Sequence, residues 1–189
     1  MKGRKKIKIA AVNNRDESAL LSAGKTGFVT HKYLREVLGI SERRIQQYLS
    51  PTNKYFSAAE GMINGKTERY YVIDTGGKKK LKELGTENIY KSNSKNHDFK
   101  VQSVLLSKQG VIGISNYLSE AELKVRYRKE IEQAKSQKLE ISVTDGAYFG
   151  TDGRINLLEV ISSSYTKEMI SSKKAFASLI GAEIEFYRC

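Results

Sequence analysis

The chain has 189 residues, 39% of them hydrophobic, and a formal net charge of +12 at pH 7. That content can fill one core or two small ones, while the single cysteine, Cys189, excludes a disulfide framework and a multi-cysteine metal site and suits a reducing cytoplasm. Residues 1–95 hold 20 Lys+Arg against 9 Asp+Glu and residues 96–189 hold 13 against 12, and a cationic excess gathered in one half favours a polyanion partner over plain solubility.

The chain opens on "MKGRKKIKIAAVNN", a basic arm over residues 1–14 whose lysines from Lys2 to Lys8 add nonspecific affinity for an anion or simply solubilise. Its apolar "IAAV" is far shorter than the hydrophobic region of a signal peptide, and no later run is long enough to span a membrane. A soluble, cytoplasmic protein without membrane contact is therefore expected.

"NNRDESALLSAG" (Asn13 to Gly24) reads as a short helix with polar capping residues and a glycine stop. Thr30 can cap the next helix, in which Leu34, Val37 and Leu38 share one face, and Gly39 fits the left-handed residue after its last turn. In "GISERRIQQYLS", Ser41 is a good N-cap, Ile40 can staple onto Ile45, and Ile45, Tyr48 and Leu49 form a narrow apolar stripe that ends before Pro51. Two helices so tightly joined are a helix-turn-helix. Asn64-Gly65 between strand-like runs predicts a hairpin, which would be a wing. "TGGKKKLKELG" then starts with turn residues and runs into a basic helix. This order predicts a winged helix-turn-helix domain over residues 15–86.

With Ile45 set toward the core and about 100° per residue around the helix, Arg43 and Gln47 point outward and Arg44 and Gln46 flank them. Arg and Gln are residue types that hydrogen-bond base edges in the major groove, although both also serve as ordinary surface helix formers. The expected DNA-binding set is Ser41, Arg43, Arg44, Gln46 and Gln47, with Lys66 and Arg69 beside the wing turn and Lys78, Lys79 and Lys80 at the start of the last helix. Binding duplex DNA in this way requires no cofactor, and a duplex reader commonly pairs as a homodimer.

Residues 87–96, rich in Ser and Asn, read as a linker. From residue 97 to 189, "HDFKVQSVLLSK" suggests a mostly buried helix and "LSEAELKVRYRKEIEQAKSQK" a charged helical run with room for an irregular break. "LEISVTDGAYFG", "GRINLLEVIS" and "AEIEFYRC" read as strands, with "YTKEMISSKKAFASLIG" a helix before the last. The fold class is thus α+β, the winged domain being followed by a small α/β sheet domain.

Three features of this half carry possible chemistry: His97-Asp98, Asp145 in "TDG" and Glu159 in "RINLLEVISSSY". An Asp and a Glu on neighbouring strands can converge on Mg or Mn, as in nucleases that activate water; equally, Asp145 can cap a turn while a helix cation holds Glu159. "HDF", "TDG", "LLEVISSSY" and "SSKKAF" resemble the pattern of the replication-relaxation family of plasmid and mobile-element proteins. The resemblance implies a winged helix joined to a restriction-endonuclease-like domain, with Asp145 and Glu159 as catalytic and metal-binding carboxylates. The usual nuclease lysine two residues after the glutamate is Ile161 here, which leaves Lys173 or Lys174 of the following helix to supply the cation. The expected role is in plasmid replication, conjugative transfer or transcriptional control; one alternative is a DNA nickase, and another is an assembly factor whose second half recruits a relaxase or replication protein.

Other patterns fail. Gly24-Lys25-Thr26 and Gly65-Lys66-Thr67 lack the first glycine of a phosphate loop, Ala19 and Glu60 standing there instead. His31 and His97 with one cysteine cannot build a zinc finger, and Ser162 to Ser164 have no nearby histidine to activate them.

Overall fold

The computed structural model describes residues 12–50, 53–63, 65–86, 88–90, 92, 94–108 and 113–188. The arm lysines Lys2 to Lys8, together with Pro51 and Asn64, lie outside the described residues. The fold is mixed α+β, with two small sheets and, among the described residues, eight α-helices none of which is long and apolar enough to cross a membrane. The chain divides into two compact units, residues 1–98 and 99–189.

The first unit begins with α1 (Asn14–Thr26), started by a capping box between Asn13 and Asp16. It does not stop at Gly24 as its sequence suggests. Gly24 is buried against Leu81, and the helix runs on to Thr26, where Gly27 with φ +88° ends it. A glycine inside a helix here serves close packing, and the one at positive φ provides the stop.

After β1 (Val29–Thr30), Thr30 Oγ1 accepts from the Tyr33 N–H and starts α2 (His31–Glu36). Gly39 takes φ +59° in the turn, and Ser41 caps α3 (Glu42–Tyr48) by accepting from the Arg44 N–H. Ile40, Ile45 and Tyr48 are buried, which fixes the face that α3 turns inward. The antiparallel strands β2 (Phe56–Ile63) and β3 (Lys66–Ile73) pair along their whole length, and β1 adds to the free edge of β3, giving the order β1-β3-β2. Phe28, Leu34, Ile45, Tyr71 and Leu81 are almost wholly buried in this unit.

Asp74 caps α4 (Thr75–Glu83), so Gly76 and Gly77, expected in a turn, lie in its first helical turn. A Cβ on Gly77 would sit 2.4 Å from the Tyr55 carbonyl oxygen, and one on Gly76 would sit 2.5 Å from that of Lys54. The glycines let α4 approach a bare backbone. The stretch expected as a linker is tied to the same unit: the Tyr90 N–H donates to the Gly24 carbonyl at 2.8 Å, the Tyr90 hydroxyl donates to Asp98, and Lys95 lies 5.0 Å over the Tyr70 ring.

The helix α5 (Lys95–Ser107) carries the chain into the second unit, with Val101, Val104 and Leu105 buried. A single 3-10 turn (Ile114–Asn116) leads to β4 (Tyr117–Ser119), whose last two residues open the stretch that the sequence assigns to a charged helical run. Then come α6 (Glu120–Arg126), α7 (Arg128–Ser136), β5 (Gly146–Phe149), β6 (Ile155–Ile161), α8 (Lys167–Ile180) and β7 (Glu183–Arg188). Of the strand expected from Leu139 to Gly150, only Gly146–Phe149 is extended as a strand. The sheet order is β4-β5-β6-β7; its first two pairings are antiparallel, and β6 and β7, joined through α8, are parallel.

Alternation along the strands sends Ala147, Leu157 and Ile184 toward Leu123, Phe176 and Ala177, the core beneath α6 and α8. Gly146 admits the Tyr117 ring, which a Cβ would meet at 2.3–2.5 Å.

Candidate functional site

In the first unit the exposed face of α3 is assembled from its buried one. Ile45 and Tyr48 hold the helix, leaving Arg43 and Gln46 exposed and Gln47 half-buried. The Arg43 side chain has no hydrogen-bond or ion-pair partner among the described residues. Gln46 donates to Glu42 at 2.9 Å, and Glu42 also meets His31 at 2.9 Å.

Arg44, expected to flank the outward face, turns instead to Asp16 of α1. Its Nε donates to Asp16 Oδ1 at 3.0 Å, one terminal nitrogen makes a close bond to Oδ2, and the other donates to Gln47 Oε1 at 2.6 Å. Asp16 is 3% exposed. It also accepts from the Tyr48 hydroxyl at 2.5 Å and the Asn13 N–H at 2.9 Å. Burial pushes the Asp16 carboxyl up, but the Arg44, Asn13 and Tyr48 donors outweigh it and hold the group below its ordinary 3.8. The phenol of Tyr48 is pushed far up by burial and by that carboxylate. A concavity of about 250 Å³ lies over this network, lined by Arg15, Ser41, Arg43 and Gln47 among others.

The other expected contacts divide. Lys66, Lys78 and Lys79 are exposed. Arg69 is engaged across the hairpin by Glu60, its register partner, at 2.6 Å, and Lys80 by Glu17 of α1 at 3.2 Å. Ser41 acts as the cap of α3. Asp16, Glu60 and Glu17, which claim three of the expected cations, are absent from the sequence-based set. Asp16 stands 28 residues before Arg44, too far for any local pattern to join them.

In the second unit Asp145, Glu159 and Lys173 do come together. Asp145 sits immediately before β5, Glu159 in the middle of β6 and Lys173 on α8. Glu159 is fully buried; one oxygen accepts from Tyr165 at 2.7 Å and faces Lys173 Nζ at 2.8 Å, and the other accepts from the Asp145 N–H at 2.9 Å. Lys173 also donates to the Val143 carbonyl at 2.7 Å. Asp145 Oδ2 accepts from the Val160 N–H at 2.7 Å, locking the end of β5 to β6.

Burial, and then the Asp145 charge, raise the Glu159 carboxyl above its ordinary range, with Lys173 and Tyr165 pulling the other way. Tyr165 completes this cluster, and the only sequence signal for it was its place at the end of "LLEVISSSY". His97, by contrast, meets Asp98 in the first unit, and Asp98 accepts from the Tyr90 hydroxyl.

The donor set does not fit a divalent ion in this arrangement. Both Glu159 oxygens already accept hydrogen bonds, and an ammonium occupies the side where a cation would bind. Among the described residues, no group of three or more His, Cys, Asp or Glu is placed to hold a metal. What the cluster does chemically is balance a buried carboxylate and pin α8 to β6. Comparisons of the chain with protein-family models, with curated proteins and with solved structures each found no match.

Proposed function

We propose that the chain binds double-stranded DNA through its first unit, used as a winged helix-turn-helix, and serves replication, conjugative transfer or transcriptional control of a plasmid or other mobile element. The observation that carries this is the exposed side of α3. A seven-residue helix anchored by Ile45 and Tyr48 presents Arg43, Gln46 and Gln47 outward, in the half of the chain that holds nearly all the net charge. The β2–β3 hairpin with Lys66 and the α4 lysines Lys78 and Lys79 supply further exposed cations in the same unit. In duplex binding, Arg43 and Gln47 read base edges, while Arg44 supports the helix from behind.

The test is selection of bound duplexes from a random pool by the purified protein, repeated with Arg43→Ala and Gln47→Ala. Each is expected to lose base preference at its own position, a good contact being worth about 1–3 kcal/mol. Unchanged selectivity in both would remove α3 as the reading element.

The second unit's order, in which β5 and β6 form an antiparallel pair and α8 crosses to a parallel β7, supports a restriction-endonuclease-like domain. We read it as a binding or pairing module whose Lys173–Glu159 pair is structural. The convergence of Asp145, Glu159 and Lys173 also favours a second reading, a nickase using Mg or Mn. That reading requires Lys173 to leave Glu159, and it predicts nicking of supercoiled DNA with either metal that disappears in Asp145→Ala.

A further inference from the structure

The side chain of Gln47 has its two ends in different situations. Its carbonyl oxygen accepts from Arg44 at 2.6 Å, and because a guanidinium only donates, the amide must point its oxygen toward Arg44 and its Nε2 away. Nε2 has no hydrogen-bond partner among the described residues. Arg44 cannot readily swing off, since it is held by both oxygens of Asp16, itself fastened by Tyr48 and the Asn13 N–H.

From this we propose that Arg44 is a positioning residue that converts Gln47 into a donor-only reader, one that selects guanine over adenine. A glutamine that recognises adenine must accept from the N6 amino group and donate to N7 together. Here the accepting oxygen already holds a cation's N–H, and an incoming amino group would bring a second positive dipole against that guanidinium. Guanine offers only acceptors, O6 and N7, on its major-groove edge, so it suits the outward N–H groups. Arg43, a donor-only side chain by chemistry, extends the same preference along the helix. The inference rests on the duplex-reading role given to α3 above.

The experiment is duplex selection with four proteins: wild type, Gln47→Ala, Gln47→Glu and Arg44→Ala. The position read by residue 47 is the one whose preference vanishes in Gln47→Ala. At that position the wild type is expected to favour guanine over adenine by about tenfold. Gln47→Glu keeps the Arg44 bond but replaces the outward donors with an acceptor, so cytosine, with its N4 donor, is expected to be enriched there instead. Arg44→Ala frees the carbonyl and is expected to admit adenine. Should that variant fail to fold, the glutamate variant alone decides.

Adenine at that position in the wild type, or a glutamate variant that keeps guanine, overturns the inference while leaving DNA reading intact. No position losing preference in Gln47→Ala overturns it as well. Failure of any duplex to be enriched by the wild type overturns the DNA-binding reading itself.

Discussion

Asp16 is a buried carboxylate that stays ionised because four donor groups reach it. Its pKa lies below the ordinary 3.8, so its contribution is present above that pH and is lost as acid protonates the folded group. Asp16→Asn is expected to cost about 2 kcal/mol at neutral pH and to flatten the acid limb of the first unit's stability, as urea melts between pH 2 and 7 would show. Glu159 has the opposite sign. Its carboxyl is raised by burial, so its contribution is greatest at low pH and declines as pH climbs through the raised value. Lys173→Met leaves that carboxylate without its counter-charge and is expected to cost about 3–5 kcal/mol, with Lys173→Met/Glu159→Gln recovering part of the loss. Chemical denaturation of the single and double variants measures both numbers.

Among the elements, α4 depends on a missing side chain. Gly77→Ala drives a methyl into the Tyr55 carbonyl oxygen, which cannot yield as a flexible side chain would, and is expected to destabilise by about 1–3 kcal/mol. Gly113→Ala, where a Cβ meets nothing closer than 3.6 Å, is the near-neutral control in the same melts. Which elements were legible in the sequence follows from how local their causes are. Thr30 and Ser41 cap their helices by accepting from N–H groups three residues downstream, and Asn64-Gly65 reads as a turn from the dipeptide alone; both kinds of cause span a few residues. The short β4 was hidden because three residues cannot establish alternation, and its reason for being extended is pairing with Tyr148, Ala147 and Gly146 some thirty residues on. The α1 end was misplaced because Gly24 looks like a stop until Leu81 packs on it. At the candidate site the residue types were legible and the partners were not: Arg44, Arg69 and Lys80 read as outward cations, and distant carboxylates claim each of them.

For the molecule as a whole, charge is distributed unevenly along the chain. The first 95 residues carry 20 Lys+Arg against 9 Asp+Glu, and pairing inside the unit consumes Arg44, Arg69 and Lys80, which leaves Arg43, Lys66, Lys78 and Lys79 as the exposed members of the expected set. Duplex affinity is therefore expected to fall linearly on a log–log plot against salt, with Lys78→Ala and Lys79→Ala each reducing the slope by about 1. Fluorescence anisotropy on one duplex over a salt series reads this out; replacement of Arg69, whose charge Glu60 already answers, is expected to change it less. The tethering of Tyr90 to Gly24 and of Lys95 over Tyr70 also bears on how the protein should be cut for crystallography or NMR. A fragment ended at Gly85 would strip the cover from the foot of the first helix and from one aromatic ring, whereas one carried through Asp98 takes its own lining with it.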